Sequence, residues 1–240
     1  MNLVFDLHTH TINSGHAHCT TMENAKYASE IGLELLGITD HGPKMPGGPH
    51  EWYFNTFDAM PRELYGVTML YGCEANILDS DGNIDLSIDK QEKLDIIIAS
   101  LHDPVVETGK SREVYTTMFL NTMDNPNLHI LGHIGNPKFP IYEEEIVKKA
   151  KEKNILIEIN NKSFSVKRKG SDVICKKIAL LCKEYGVKIV VGSDAHSCFA
   201  IGGFNEAEKL LKEINMPEAL IMNTSKDKIL NFLRERGKNI

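Results

Sequence analysis

The 240-residue sequence contains no CxxC pair, and its five cysteines, Cys19, Cys73, Cys175, Cys182 and Cys198, are odd in number. This excludes a disulfide framework and a thiolate zinc clip, and a reducing, cytoplasmic setting is expected. No apolar run approaches the roughly 18 residues that span a bilayer. The opening MNLVFDLHTH has no basic segment followed by an apolar one, so no membrane span or export signal is read. Positive charge is in deficit: Lys+Arg 27 against Asp+Glu 33 gives −6 with His neutral, which removes the electrostatic footprint of a dedicated duplex-DNA binder. At 42% hydrophobic and 25% charged, without low-complexity tracts or linkers, the composition is globular rather than disordered. At roughly 150 residues per domain the length fits one to two domains, or a single α/β barrel, and residues 1–240 are read as one barrel domain.

What is over-represented is histidine: ten residues, about twice the ordinary share. Seven short aliphatic runs read as buried strands: Leu3–Leu7, Leu35–Thr39, Val67–Cys73, Leu94–Ser100, Leu128–Leu131, Ile155–Ile159 and Lys188–Gly192. Between them amphipathic stretches predict helices at Met22–Ile31, Arg112–Met123, Tyr142–Glu152, Ser171–Tyr185, Asn205–Ile214 and Lys226–Arg234. Thr20 and Glu23 stand at capping-box spacing before the first, and Gly186 follows the fourth. This alternation means parallel strands with right-handed crossovers, and the expected fold is an α/β barrel of seven or eight units. The segment Gly42–Pro49, followed by Glu51, Trp52, Tyr53 and Phe54, is too irregular for a regular helix and reads as a lid over the rim.

Reactive residues gather where such barrels build their sites, at the C-terminal strand ends. Strand one ends in His8-Thr9-His10, and alternation along a strand points both imidazoles the same way. Strand two runs into His41, strand three into Glu74, strand four into His102, strand five into His133, and strand seven into Asp194 and His196, while His16 sits in the loop after strand one. Any one of these could be a solvated polar side chain. Seven imidazoles and two carboxylates at one rim would strand or repel one another unless cations organised them. At three to four protein ligands per open site, nine donors serve two or three ions if Glu74 or Asp194 bridges. Imidazole-rich spheres suit Zn²⁺, with Mn²⁺ or Fe²⁺ as alternatives. His129 reads as structural and His50 as a surface residue, His18 is left open beside His16, and Cys73 and Cys198 read as packing residues.

These residues resemble the PHP (polymerase and histidinol phosphatase) domain of metal-dependent phosphoesterases. The resemblance rests on DLHTHT at 6–11, TDHG at 39–42, GCEANI at 72–77, SLHDP at 100–104, GHIGNP at 132–137 and GSDAH at 192–196. Within the family the chain looks most like the YcdX-type phosphatase branch, on TDHGPKMPGGPHEW, EANILDSDGNID, HIGNPKFPI, EINNKSF, RKGS and NFLRERG. The resemblance implies a distorted TIM-like (β/α)₇ barrel with three zinc ions. It places His8, His10, Glu74 and Asp194 on one ion, His16, His41 and His196 on a second, and Glu74, His102 and His133 on a third, Glu74 bridging. The usual His-Pro-Gly of the fifth motif is His133-Ile134-Gly135 here, which removes no ligand.

Three dications against two ligand carboxylates leave about +4 before bound hydroxide, which favours a phosphate dianion. Metal ions lower the pKa of bound water toward 7, so hydroxide attack on a small phosphomonoester is expected, with Glu74, Asp194 and His196 at the reacting centre. Lys167, Arg168 and Lys169, with Asn160 and Asn161, follow strand six at the same rim and are candidates for gripping substrate or for mere solvated polarity. A phosphodiesterase or exonuclease on nucleic acid would use the same metals but lacks its basic track. A C–N hydrolase also begins from HxH on strand one, but Glu74 and the DxH at 194–196 fit it less well. A metal-buffering protein without turnover is the non-enzymatic alternative.

Overall fold

The computed structural model describes residues 1–240, apart from the side chain of Lys167. Seven parallel strands form one sheet in the order β1 (Phe5–Thr9), β2 (Leu35–Ile38), β4 (Val67–Asn76), β5 (Ile96–Ser100), β6 (Ile130–Leu131), β7 (Leu156–Asn160) and β8 (Ile189–Gly192), with β3 (Glu63–Leu64) antiparallel against β4. The sheet curls until its two edges meet: His10 N–H donates to Ala195 O at 2.9 Å and Ala195 N–H to His8 O at 3.2 Å. The result is a nearly closed seven-stranded parallel barrel ringed by α1 (Thr21–Glu30), α2 (Ile88–Gln91), α3 (Arg112–Thr122), α4 (Glu143–Lys153), α5 (Ser171–Tyr185), α6 (Asn205–Glu213) and α7 (Lys226–Glu235), the expected distorted (β/α)₇ architecture. Among the described residues, no helix is long and apolar enough to cross a membrane.

Local chemistry explains the boundaries. Thr20 Oγ1 accepts the Glu23 N–H while Glu23 reaches back to the Thr20 N–H, the reciprocal cap that starts α1. Gly186, at φ 65°, ends α5. Strands one and three differ from expectation. β1 starts two residues later and takes in His8 and Thr9, and β4 runs on through Glu74 to Asn76. Hydrogen bonding to neighbours, rather than apolar content, sets strand ends, and parallel partners continue past the last aliphatic residue.

The period of two divides the strands between an inner and an outer core. Leu35, Leu70, Ile96, Ile98, Ile130, Leu156 and Val190 turn inward, whereas Leu36, Ile97, Ala99 and Ile157 face the helices. The inward series then turns polar toward the C-terminal end: Leu70, Gly72, Glu74 on β4, Ile96, Ile98, Ser100 on β5, and Leu156, Glu158, Asn160 on β7. The other end is plugged by α7, whose Ile229, Phe232 and Leu233 join Val4, Phe5 and Met222. Apolar packing therefore seals one half of the barrel, and the inward carboxylates and imidazoles lie in the other.

His129, ahead of β6, lies fully buried away from that polar half, and its Nδ1 accepts the Ile97 N–H at 3.1 Å. Burial, then the charges of Lys238 and Arg236, holds its pKa well below 6.5. The unfolded chain takes up a proton near pH 6.5 that the folded chain refuses, so this residue destabilises the fold as pH drops below about 6.5, by about 1.4 kcal/mol per unit. His129→Gln keeps an acceptor for Ile97 and removes the titration. Denaturant unfolding from pH 7 to pH 5 should show the stability of the variant gaining on wild type as pH falls, and a constant difference would refute this.

Candidate metal centre

All nine predicted donors converge at the polar mouth of the barrel. Glu74, fully buried on β4, is the hub. Its Oε1 lies 2.8 Å from His133 Nε2 and 3.2 Å from both His8 Nε2 and His102 Nε2, and its Oε2 lies 2.8 Å from His41 Nδ1 and 3.6 Å from His10 Nε2. Asp194 Oδ1 stands 3.5 Å from His10 Nε2, 3.9 Å from His8 Nε2 and 3.4 Å from His196 Nδ1. His16 enters from the loop after β1 and meets His196, Nε2 to Nε2, at 2.9 Å. Two backbones there are unusual: His133 has φ 29° and Asp194 φ 56°, left-handed conformations that non-glycine residues keep only where surroundings impose them.

The chemistry of this donor set fits divalent ions. His8 Nε2, His10 Nε2, His41 Nδ1 and Glu74 Oε2 are buried and lie close to one another without the alignment of a hydrogen bond, an arrangement that costs free energy at each atom unless a cation is shared among them. Three overlapping sets bring their ligand atoms within 4.8 Å of one another: His8, His10 and Asp194; His10, His41 and His196; and His41, Glu74 and His102. The sets implied by resemblance differ in detail, with His16 in the second and His133 in the third. His16 touches that cluster through His196, and His133 through Glu74.

Electrostatics follow from burial and proximity. Burial pushes the carboxyl pKa values of Glu74 and Asp194 up, but imidazole charge, led by His8, outweighs it and holds both well below the carboxylate range. Burial opposes protonation of His8, yet Glu158, Glu74 and Asp194 together raise it well above the usual value. Burial, then the charge of His41, lowers His10 well below, burial lowers His133, and burial brings His196 down to about 4. Neutral imidazoles of this kind keep a lone pair free for an ion at neutral pH.

A second layer, only partly visible in the sequence, fixes the rings. Glu158 on β7 is the residue the sequence reading missed. Its Oε1 takes His8 Nδ1 at 2.6 Å, its Oε2 accepts the His133 N–H at 2.8 Å and is bonded by Asn160 Nδ2 at 3.1 Å. A carboxylate on the far nitrogen of an imidazole sets tautomer and orientation and raises ligand basicity. Asn76 Oδ1 plays that part for His102 Nδ1 at 2.7 Å, and is itself held by Asp85, which accepts the Asn76 N–H and side-chain amide. Ser14 Oγ lies 3.2 Å from His10 Nδ1 and donates to Asp40 Oδ1. Asp40 also accepts from Thr11 and from the Tyr53 hydroxyl at 2.8 Å, which ties the segment after the lid to the site.

The mouth opens into a cavity of about 370 Å³ walled by His16, His41, His102, Asp194 and His196, with Met45 and Pro46 of the lid segment and Arg168 at its edge. Residues 51–55 and 57–59 of that segment form 3₁₀ turns, and His50 caps the first by accepting the Trp52 N–H. Arg168 reaches Asp194 Oδ2 at 2.8 Å. The side chain of Lys167 lies outside the described residues. Asn161 turns away from the cavity, its Oδ1 accepting the Glu206 and Ala207 N–H groups at the start of α6. His18 uses its backbone N–H on His196 O.

Close packing behind the donors is testable at Gly192. A Cβ there would stand 2.0 Å from Glu158 Oε1 and 3.0 Å from His8 Cβ. Gly192→Ala should therefore fold but bind metal about 10–100-fold more weakly, because it displaces the carboxylate that orients His8. Unchanged metal affinity in a calorimetric titration would contradict this packing account.

Fold and site together define an α/β barrel with a buried cluster of imidazole and carboxylate side chains at the C-terminal strand ends. The PHP domain family profile matches residues 6–162. Over 238 residues, 99% of this chain and 97% of each relative, the sequence is 59% identical to a probable phosphatase of Clostridium botulinum (strain Langeland) and 56% identical to a probable phosphatase of Clostridium novyi (strain NT). The histidinol phosphate phosphatase of Lactococcus lactis, solved with zinc, L-histidinol and phosphate, superimposes with a TM-score of 0.61 at 18% identity, covering 90% of this chain and 95% of that one. The chain belongs to the PHP domain family.

Proposed function

We propose that this protein is a metal-dependent phosphatase that hydrolyses small phosphomonoesters at a trinuclear zinc site, and that residues 1–240 work as one domain, since Asp194 and His196 face His8 and His10 at the end of β1 and His41 after β2. The observation that carries the reading is the set of buried atoms on His8, His10, His41 and Glu74 that gather around the Glu74 carboxylate without well-aligned hydrogen bonds. The names of the curated relatives, and the zinc and phosphate in the Lactococcus structure, support it. His8, His10, Glu74 and Asp194 hold one ion, His16, His41 and His196 a second, and Glu74, His102 and His133 a third. Manganese or iron are alternative occupants. Five free, buried cysteines suit a reducing cytoplasm.

When bound, such ions supply an activated water at neutral pH and neutralise phosphoryl charge. The residues supply position. The two oxygens of Glu74 face opposite sets of imidazoles, so one carboxylate can bridge. Glu158, Asn76 and Ser14 fix the rings of His8, His102 and His10. Arg168, anchored on Asp194 and lining the cavity, presents a guanidinium to an arriving dianion. Glu158 adds a third buried carboxylate beside the two ligand ones, which lowers the net charge of a three-ion centre to about +3 and still favours a phosphate dianion. Chelated protein should release no phosphate from p-nitrophenyl phosphate, and zinc should restore turnover. Full turnover after complete chelation would refute the reading, and metallated protein inactive on all phosphomonoesters would favour a binding role.

A further inference from the structure

One lysine, Lys162, stands close to the donors. The Asn160 side chain accepts the Lys162 N–H at 2.9 Å and fixes its backbone just beyond β7. Lys162 Nζ lies 3.2 Å from Asp194 Oδ1 and 2.8 Å from His196 Nδ1, with the side chain 36% exposed. We propose that Lys162 is a substrate-contacting residue whose ammonium binds a phosphoryl oxygen in the working site. This rests on the phosphatase reading above and adds a residue to it.

Neither present partner of Lys162 suits an ammonium once the donors hold cations. Asp194 Oδ1 is the same atom that faces His8 and His10. If His8, His10 and Asp194 hold a divalent ion, the charge of that oxygen would be withdrawn from Lys162 and like charge would stand beside the ammonium. His196 offers no refuge. A ring that ligates through Nε2 carries its proton on Nδ1, where the Asp194 carbonyl oxygen stands ready to accept at 3.0 Å. An ammonium has three donors and no acceptor, so a protonated Nδ1 gives it nothing. Arg168 is placed differently, on Asp194 Oδ2 and Asn160 Oδ1, away from the oxygen the histidines face. Lys162 is thus the cation set free, on a flexible four-carbon stem, next to two residues that wall the cavity. The anion within its reach there is the phosphoryl group.

Calorimetric titration of zinc-loaded protein with inorganic phosphate tests this, with zinc per chain measured on the same samples. Lys162→Ala and Lys162→Gln should weaken phosphate binding about tenfold or more at unchanged zinc content, and raise KM for p-nitrophenyl phosphate, while Lys162→Arg restores most of the affinity. Unchanged phosphate affinity in fully zinc-loaded Lys162→Ala would overturn the proposal. So would a loss of zinc whose correction at saturating zinc restores phosphate binding, since Lys162 would then serve only to hold Asp194. If wild-type, zinc-loaded protein neither binds phosphate nor turns over the ester, the phosphatase reading itself falls. A working wild type with an unaffected variant removes Lys162 alone.

Discussion

Glu74→Ala is expected to abolish turnover, by about 10³-fold or more, and to lose bound metal. Five imidazoles approach this one carboxylate, each within 3.6 Å, and its removal leaves His41, His102 and His133 with no carboxylate beside their rings. Two effects add: the donors lose their bridge, and a cluster of imidazoles around dications loses the negative charge that makes it tolerable. Glu74→Gln keeps the shape and should fare little better, because an amide nitrogen would face ring nitrogens that must stay free of hydrogen-bond donors. Elemental analysis with a p-nitrophenyl phosphate assay reads both effects. A variant that kept its full complement of metal and its rate would show that Glu74 is not the bridge.

Glu158→Ala should have the next largest effect, although Glu158 is proposed to touch no ion. It fixes the tautomer of His8, receives the backbone N–H of His133 and anchors Asn160 beside Asp194, so one truncation loosens donors on β1, β6 and β8. Metal affinity should drop about 10–100-fold. A second signature is specific to the mechanism. Burial alone depresses His8, and carboxylates led by Glu158 lift it, so in metal-stripped variant protein the His8 pKa should be lower than in metal-stripped wild type when followed by NMR. An unmoved His8 together with unmoved metal affinity would make Glu158 a packing residue only.

The contrast between these two glutamates shows what a sequence displays and what it hides. Glu74 stands at the end of an aliphatic run, where a barrel collects its chemistry, and so do His41, His102, His133 and Asp194. Glu158 lies inside the run Leu156–Asn160, where apolar neighbours make it look like an interruption. A charged residue within a strand that is buried on both faces must have a partner, and that rule applied to ILIEIN would have found it. The first strand was displaced for a related reason. Leu3 and Val4 carry the apolar signal, but backbone pairing continues through His8 and Thr9, and the register against β2 shifts between Asp6 and Thr9.

Other features leave little trace in one sequence. β3 is two residues long and turns on Tyr65 and Gly66, both at positive φ, too short for any periodicity. The plug formed by α7 is predicted as a helix, but nothing local says that Ile229, Phe232 and Leu233 seal the barrel floor. The pairing of Tyr53 with Asp40, and of Lys162 with Asp194, depends on residues 13 and 32 positions apart meeting in space. Donor identity is therefore written in the strand ends, whereas orientation of the donors comes from contacts between strands.

We propose that seven imidazoles and two carboxylates gather a shared cluster of divalent cations. Anomalous diffraction from crystals of the zinc-loaded protein, recorded on both sides of the zinc edge, tests it most directly. Three peaks are expected in the barrel mouth, among Glu74, His8, His10, His16, His41, His102, His133, Asp194 and His196. A mouth without anomalous density, or zinc bound only at surface residues elsewhere, would contradict it.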